Sequence, residues 1–453
     1  MLSTLAVLAL ACLPATVAAD PPPVFAMGFD GTIQTALAAS SALKAAGAEA
    51  EASRARAGGA AGGMLPTIVV DGTYRYLAEV PSLRVFPGKP PVDLGAHDNY
   101  SLGPTVNWTV WDWGTSYETW RGARDRADAE AAQRDLVRRQ VALGAAMTYI
   151  QAQMAAEQVR LLANAVKVAT AQHHDISLRQ SSGASSRLEA LQAHQELLAR
   201  QRGFAQARAD LAAALQDLFV LTATGTGLDA SAPVDASVTG ELPPAAAPAT
   251  LLVRLDPLDA ALASLGRGAE AGPDPAYPRI RYFDRLQDAA HRAAAGVSLS
   301  RLPKVQVTGR ISLDYPNGPV LEQVTQKTAG LAVSMPIFTG TRLVREAAEQ
   351  RRHAAAFEAQ REAAKSDLAR DWSKATARYR LLRAQDDLNR QAAAEATETA
   401  RLVYASFRGG QARFIEVETA NLHTLEAQVQ EARTKAEMLT QLAIMHSLSK
   451  EEL

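Results

Sequence analysis

The sequence predicts a mainly α-helical protein with four membrane β-strands, written as two copies of one design. Three observations lead to this fold class. Two long stretches, 115–181 and 342–407, contain no proline and are rich in Ala, Arg, Gln, Leu and Glu. Four shorter segments alternate apolar with polar or small residues. Matching motifs also recur at a fixed distance along the chain. Periodicity near 3.6 predicts helix and period two predicts strand, so both kinds of element are expected.

The chain begins with a pattern typical of a secretory signal peptide. An apolar run at 5–13 precedes the small residues at 17–19, which predicts cleavage after Ala19. The single cysteine, Cys12, lies inside this run and has two interpretations. It is either a lipidation site that becomes the first mature residue or an apolar residue removed with the signal. Cleavage after Ala19 leaves no thiol or disulfide chemistry in the mature chain.

Composition and motifs exclude several classes of function. The chain has 47 Lys and Arg against 48 Asp and Glu, a net charge of −1, so no nucleic-acid partner is indicated. No phosphate-binding glycine loop or nucleophile–base pattern stands out, so we expect neither an enzyme nor a cofactor. His173 and His174 are adjacent. On a helix they point about 100° apart, so we expect no metal site. No run of about 18 apolar residues predicts a transmembrane helix.

The duplication is visible in three pairs of motifs. The segment 108–116 aligns with 335–343, Gly183 with Gly410, and Glu189 with Glu416, each at a separation of 227, since 416 − 189 = 227. We therefore predict a signal peptide at 1–19, a first repeat at 20–222, a linker at 223–278 and a second repeat at 279–453. Within the linker, 255–278 has no clear role and is placed loosely at the waist of the helical part.

Two strands are predicted in each repeat, at 65–80 and 100–112 and again at 302–315 and 328–339. Each has one apolar and one polar face, which suits either a soluble sheet or a transmembrane barrel with strands of about 9–11 residues. Trp108, Trp111 and Trp113 favour the barrel, because tryptophans gather at membrane–water boundaries. The alternative for these three residues is a buried aromatic cluster in a soluble sheet.

The long helices carry a coiled-coil pattern. Met147, Met154, Leu161 and Val168 recur every seven residues and predict the packed seam of the first one. At about 1.5 Å per residue, each long stretch makes a rod of roughly 100 Å. Shorter helices at 31–57 and 186–220 are expected to lie end to end alongside the first rod.

Taken together, these features resemble the TolC-like outer-membrane efflux proteins. The resemblance rests on the duplication, the Leu-Pro pair before each first strand, "MPIFTGT" at 335–341 with its looser counterpart "TVWDWGT" at 109–115, the two helix breaks near 183 and 410, and "ELPP" at 241–244. It covers roughly 30–447.

The resemblance implies a homotrimer in the outer membrane of a Gram-negative bacterium, bound by outer-membrane lipid. Each chain would give four strands to one twelve-stranded barrel and its helices to a periplasmic tunnel. The implied function is a passive exit duct for efflux or type I secretion, joined to a periplasmic adaptor (membrane fusion) protein and an inner-membrane pump. The substrate (drug, metal or protein) and the gating trigger stay open. The alternative is a secreted trimeric coiled-coil structural protein without a pore.

The resemblance also assigns roles at the helix breaks. Gly183 and Gly410 would form the periplasmic tip turns, and Glu189 and Glu416 would line the pore constriction. Carboxylates in a pore mouth favour cations and repel one another. The alternative is that both glutamates complement the dipole in the first turn of a helix.

Overall fold

A computed structural model describes residues 24–83, 88, 92–223, 234–235, 251–266 and 272–450. The signal peptide and Cys12 lie outside the described residues. The elements of the first half are β1 (Val24–Met27), α1 (Phe29–Ala39), α2 (Ser41–Gly62), β2 (Thr67–Tyr76), β3 (Ser82–Leu83), β4 (Val92–Asp93), β5 (Asp98–Trp111), α3 (Thr115–Ser181) and α4 (Arg187–Thr222). Those of the second half are β6 (Val234–Asp235), β7 (Leu251–Leu255), α5 (Leu258–Leu265), α6 (Pro278–Leu299), β8 (Lys304–Tyr315), β9 (Val324–Ser334), α7 (Arg342–Arg408) and α8 (Phe414–Leu448).

The duplication is visible in the two long helices. Helices α3 and α7 each contain 67 residues, and both ends are offset by 227, since 342 − 115 = 227 and 408 − 181 = 227. Helices α2 and α4 pack against α3, α8 packs against α7, and α6 contacts both long helices. The prediction of two rods flanked by shorter helices is confirmed. The helix expected at 31–57 is interrupted at Ser40, whose side chain accepts a hydrogen bond from the Leu43 N–H and caps α2.

The buried seam of α3 differs from the predicted one. Near its middle, Ala145, Tyr149 and Ala152 are fully buried at a four-three spacing, and alanine is the commonest residue type among the other buried positions of the helix. Of the four residues predicted for the seam, Leu161 is buried and Val168 is exposed; Met147 and Met154 are half-buried. Alanine occupies most of the central positions because its small side chain lets neighbouring helices approach closely. The flexible side chains of Met147 and Met154 pack at the edge of the contact.

Four strands form one antiparallel sheet in the order β2-β5-β8-β9. Its register keeps the two faces distinct across the whole sheet. On one face Ile68 pairs with Val106, and Trp108 with Val307, which pairs in turn with Leu331. The opposite face holds polar or small residues, such as the row of Thr67, Asn107, Thr308 and Gly330. Strands β2 and β9 form the two edges, and neither pairs with a further described strand of this chain.

The last of these strands is displaced from its predicted bounds. It spans Val324–Ser334, whereas 328–339 was predicted. Pro336 has no N–H to donate to the ladder, so the segment after Ser334 turns into α7 instead of extending the sheet. The other three strands are displaced by four residues or fewer at either end.

A second sheet lies at the middle of α3. Strands β1, β7 and β6 pair in parallel, and residues around β7 contact the long helix through Tyr149. The Tyr149 hydroxyl donates to the Met27 carbonyl at 2.6 Å and accepts from the Asp256 N–H at 3.0 Å. Arg139 forms a buried ion pair with Asp274 at 2.8 Å and donates to the Ser449 carbonyl at 2.9 Å. The described parts of this segment, 255–266 and 272–278, therefore both contact α3, and the second of them also contacts the end of α8.

No helix among the described residues combines the length and the apolar composition needed to cross a membrane.

Candidate functional site

Both long helices end in the same kind of tight turn. Gly183 has φ +78° and Gly410 has φ +76°, a region that strains any residue with a Cβ. In each turn the residue after the glycine donates its N–H five residues back, Ala184 to Arg179 at 2.8 Å and Gln411 to Ser406 at 2.9 Å. This hydrogen bond closes a glycine-dependent helix C-terminus. The two glycines predicted as turns therefore have the backbone conformation that turns require.

The two turns also pack against each other. Ile176 and Ala193 from the first hairpin lie in one buried cluster with Phe407, Phe414 and Val417 from the second. The rings of Phe407 and Phe414 meet edge to face with centroids 5.7 Å apart. This cluster holds the ends of α3, α4, α7 and α8 together, so we call it the tip cluster.

Glu189 is engaged by the backbone at the start of α4. It forms a capping box with Ser186, whose hydroxyl accepts from the Glu189 N–H at 3.2 Å while Glu189 Oε2 accepts from the Ser186 N–H at 2.9 Å. The Ser185 hydroxyl also donates to Glu189 Oε2 at 2.6 Å. This hydrogen bond, followed by that from the Ser186 N–H, lowers the pKa of Glu189 below its ordinary value.

Glu416 lies at the equivalent position of α8 but in different surroundings. The residue matching Ser186 is Arg413, since 413 − 186 = 227, and the N-cap of α8 has no side-chain hydrogen bond. Arg413 Nε lies 3.9 Å from Glu416 Oε1, and both side chains are more than half exposed. The two candidate gate residues are therefore not equivalent, because Glu189 is hydrogen-bonded locally and Glu416 keeps an accessible carboxylate.

A link between the two hairpins was missed by the sequence reasoning. The Tyr404 hydroxyl on α7 donates to Asp175 Oδ2 on α3 at 2.9 Å, and Arg179 Nε lies 3.6 Å from the same carboxylate oxygen. The Arg179 guanidinium also lies over the Phe407 ring, 5.8 Å from its centroid. Burial, then the bond to Asp175, raises the pKa of Tyr404 to about 12, so the phenol stays protonated and remains a donor. The sequence contained one indication of this contact. Asp175 lies eight residues before Gly183 and Tyr404 six residues before Gly410, so both are at a similar distance from the turns.

At the opposite end of α3, the three tryptophans lie at the junction of sheet and helices. Trp108 Nε1 donates to the Met64 carbonyl at 3.1 Å and Trp113 Nε1 to the Pro303 carbonyl at 2.8 Å. Trp111 meets Trp113 edge to face at 5.8 Å. All three are more than 40% exposed in the chain, so they do not form a buried cluster within it. The indole N–H groups of Trp108 and Trp113 thus bond backbone carbonyls shortly before β2 and β8, while both rings stay on the surface.

Tyrosines occupy the other end of the same sheet. They are Tyr74, Tyr76, Tyr100 and Tyr315, and the rings of Tyr100 and Tyr315 stack 5.2 Å apart. Tyr100 and Trp108 are eight residues apart on the same strand face. At about 3.4 Å per residue they are separated by about 27 Å along β5, and strand tilt in a barrel reduces the height between them. An apolar band thus lies between two aromatic rows.

The polar face of the sheet carries a charged cluster. Arg310 donates to the hydroxyls of Thr105 at 3.1 Å and Ser101 at 3.0 Å, and lies 3.5 Å from Asp71. The Ser101 hydroxyl donates to Asp314 at 2.6 Å. Within the described part of the chain, no group of three or more His, Cys, Asp or Glu side chains converges on one point.

Comparison with known proteins agrees with this architecture. The family model described as outer membrane efflux protein matches residues 32–224. Among solved structures, the outer membrane protein VceC of Vibrio cholerae is 17% identical, and the match covers 94% of this chain and 97% of that one with a TM-score of 0.71. No curated protein sequence matches the chain.

Two solved channels give similar values. The CmeC outer membrane channel of Campylobacter jejuni is 14% identical over 94% of this chain and 87% of that one, with a TM-score of 0.71. The MtrE outer membrane channel of Neisseria gonorrhoeae, in its open state, is 16% identical over 94% and 89%, with a TM-score of 0.68. The resemblance predicted from the sequence is confirmed: residues 32–224 match the outer membrane efflux protein family, and the described chain has the fold of these outer-membrane channels.

Proposed function

We propose that the protein is the outer-membrane channel of a tripartite efflux or type I secretion system, and that it acts as a passive exit duct. The single observation that carries this proposal is the sheet β2-β5-β8-β9, which has one exposed apolar face between two aromatic rows and two unpaired edges. A soluble protein would cover such a face. In lipid the face is favourable, provided that both edges find partners.

The edges argue for a homotrimer. Four strands are too few to close a barrel, and an open edge leaves backbone N–H and C=O groups unsatisfied in lipid. Three copies give a twelve-stranded barrel in which every β9 pairs with a neighbouring β2, and three-fold symmetry makes the three junctions identical. The polar face, with Arg310 and Asp71, then lines the lumen, while Trp108, Trp111 and Trp113 lie at the periplasmic boundary of the outer membrane.

The helices extend away from this barrel into the periplasm. A helix of 67 residues spans roughly 100 Å, so under this proposal the tip cluster lies far from the membrane and within reach of a periplasmic adaptor protein. The adaptor couples the duct to an inner-membrane pump, since the described chain offers no nucleotide-binding loop of its own. Of the two predicted constriction residues, Glu416 has the freer carboxylate and contributes more to cation selectivity, while Glu189 stabilises the start of α4.

Single-channel recording in a planar bilayer tests this function. The detergent-purified protein is compared with Glu416→Gln and Glu189→Gln variants of matched yield and circular dichroism. We expect discrete, cation-selective conductance steps whose selectivity falls more with Glu416→Gln than with Glu189→Gln. A protein that stays in solution without detergent and gives no conductance would instead support the secreted coiled-coil alternative. If neither substitution changes the conductance or its selectivity, the duct proposal stands and neither glutamate lines its constriction.

A further inference from the structure

Two histidines of the first hairpin face each other across α3 and α4. His173 lies ten residues before Gly183 and His194 eleven residues after it, which makes them cross-helix neighbours. Their ring centroids are 5.2 Å apart with the ring planes tilted by 44°. His173 is half-buried and His194 is exposed. The adjacent His174, which the sequence pairs with His173, points to another side of the helix.

From this geometry we propose that His173 and His194 form a two-imidazole binding site for Zn²⁺. A tetrahedral zinc ion lies about 2.0–2.1 Å from each ligating nitrogen, hence about 3.2 Å from each ring centroid when it lies in the ring plane. At a tetrahedral angle of about 109° the two centroids are then about 5.2 Å apart. The observed separation is 5.2 Å. The spacing of the two rings across the helix pair therefore matches that of two imidazoles on one zinc ion, which a rotation of the exposed His194 ring about its side-chain bonds would complete.

The chemistry of the surroundings suits a borderline divalent ion. Neutral imidazole is a preferred ligand of zinc, whereas Mg²⁺ and Ca²⁺ prefer oxygen ligands. Ser177 Oγ lies 3.5 Å from His173 Nε2 and gives the half-buried ring a polar neighbour. Water occupies the remaining positions around the ion, because His194 is open to solvent.

The fold itself does not require these imidazoles. The equivalent positions in the second hairpin are Ala400 and Asn421, since 400 − 173 = 227 and 421 − 194 = 227. A hairpin of the same length and turn therefore forms with an alanine and an asparagine at this level. The site is a property of the first hairpin alone, and its existence does not depend on the duct function proposed above.

A bound zinc ion would bridge α3 and α4 close to the tip turn. The bridge lies about ten residues from Gly183, or roughly 15 Å along α3. It would oppose separation of the two helices there, because a metal that binds only the paired arrangement stabilises it.

Zinc retention by the full-length protein, carrying no histidine tag and stripped with chelator, tests the proposal. Equilibrium dialysis against Zn²⁺ is run on the native chain and on His173→Ala, His194→Asn and His174→Ala. The first two substitutions install the residues of the second hairpin, so the fold tolerates them, and His174→Ala is the matched control.

We expect one Zn²⁺ per chain in the native protein and in His174→Ala, and at least about a tenfold weaker affinity in the other two variants, since each loses one of two ligands. Zn²⁺ should also slow amide hydrogen exchange across 170–197 in the native protein and not in His194→Asn, and Mg²⁺ should do neither. Equal binding by all four proteins, or no binding by the native chain, would overturn the site. Channel activity is not part of this readout, so failure here leaves the proposed duct untouched.

Discussion

The hydrogen bond from Tyr404 to Asp175 offers the sharpest test of whether contacts between the two hairpins restrain opening of the proposed duct. Substituting Tyr404→Phe removes the hydroxyl and keeps the ring, so packing against Phe407 at 6.4 Å is preserved. Asp175 retains its ion pair with Arg179 at 3.6 Å and is not left without a partner. The variant therefore measures one hydrogen bond between the hairpins and little else.

The size of the effect follows from the surroundings of this bond. A hydrogen bond to a charged group contributes about 1.5–3 kcal/mol, and we take the lower value because the Asp175 side chain is 31% exposed. About 1.4 kcal/mol corresponds to a tenfold change in an equilibrium. If opening breaks one Tyr404–Asp175 hydrogen bond, Tyr404→Phe raises the ratio of open to closed channels about tenfold. If the three bonds of a trimer break together, the ratio rises about a thousandfold.

Open probability in single-channel recordings is the measurement. Tyr379→Phe is the control, because it makes the same chemical change on α7 at a ring that packs against the main core cluster. Asp175→Asn and the double variant complete a thermodynamic cycle. An open probability that Tyr404→Phe leaves at the native value, with no coupling in the cycle, would refute the idea that this bond restrains the tips.

Three further outcomes follow from the structure. Arg139→Ala removes the ion-pair partner of the buried Asp274 carboxylate, so we expect a loss of about 3 kcal/mol in the free energy of unfolding, measured in detergent by thermal circular dichroism. A loss below about 1 kcal/mol would show that this ion pair does not stabilise the contact between α3 and the end of α8. Gly103→Ala places a Cβ 2.0 Å from a backbone carbonyl of β8, so folded protein should be lost from the outer-membrane fraction, whereas Gly309→Ala meets nothing within 4 Å and should be recovered normally. The pKa of Glu189 is lowered in the folded protein, so its stabilisation is present above its ordinary value of 4.5 and disappears as the pH falls through the lower, folded value. Glutamine can still accept from the Ser186 N–H, so Glu189→Gln removes only the charge, and we expect the native protein to be about 0.5 kcal/mol more stable than this variant at pH 7. This difference should vanish in acid, and a difference that persists there would exclude the carboxylate charge as its cause.

The secondary structure was readable from the sequence where local patterns are strong. The bounds of α3 match the prediction and those of α7 differ by one residue, because a long run without proline and with a single type of periodicity leaves the chain few alternatives. Gly410 predicted the turn between α7 and α8, since only glycine takes φ +76° without strain. The last strand was placed too late because alternation continues past Ser334, whereas Pro336 ends the ladder.

Contacts between segments that are distant in the chain could not be predicted from local sequence patterns. The predicted seam follows hydrophobic residues such as Met147 and Met154, whereas the structure buries Ala145 and Ala152, because close approach of several helices favours small side chains. The sheet of β1, β7 and β6 was also missed, since its strands are only two to five residues long and β1 pairs with β7 across more than 200 positions.

By itself the sequence determined the duplication, the two rods, the four amphipathic strands and the glycines that turn the hairpins, all of which follow from local composition and spacing. Only the tertiary structure decided which groups meet. It joined Tyr404 to Asp175 and His173 to His194, and it gave Glu189 a capping partner that Glu416 lacks. The physical reason is that helical periodicity fixes the face on which a side chain lies, whereas the partner opposite that face depends on how the helices are aligned along their axes.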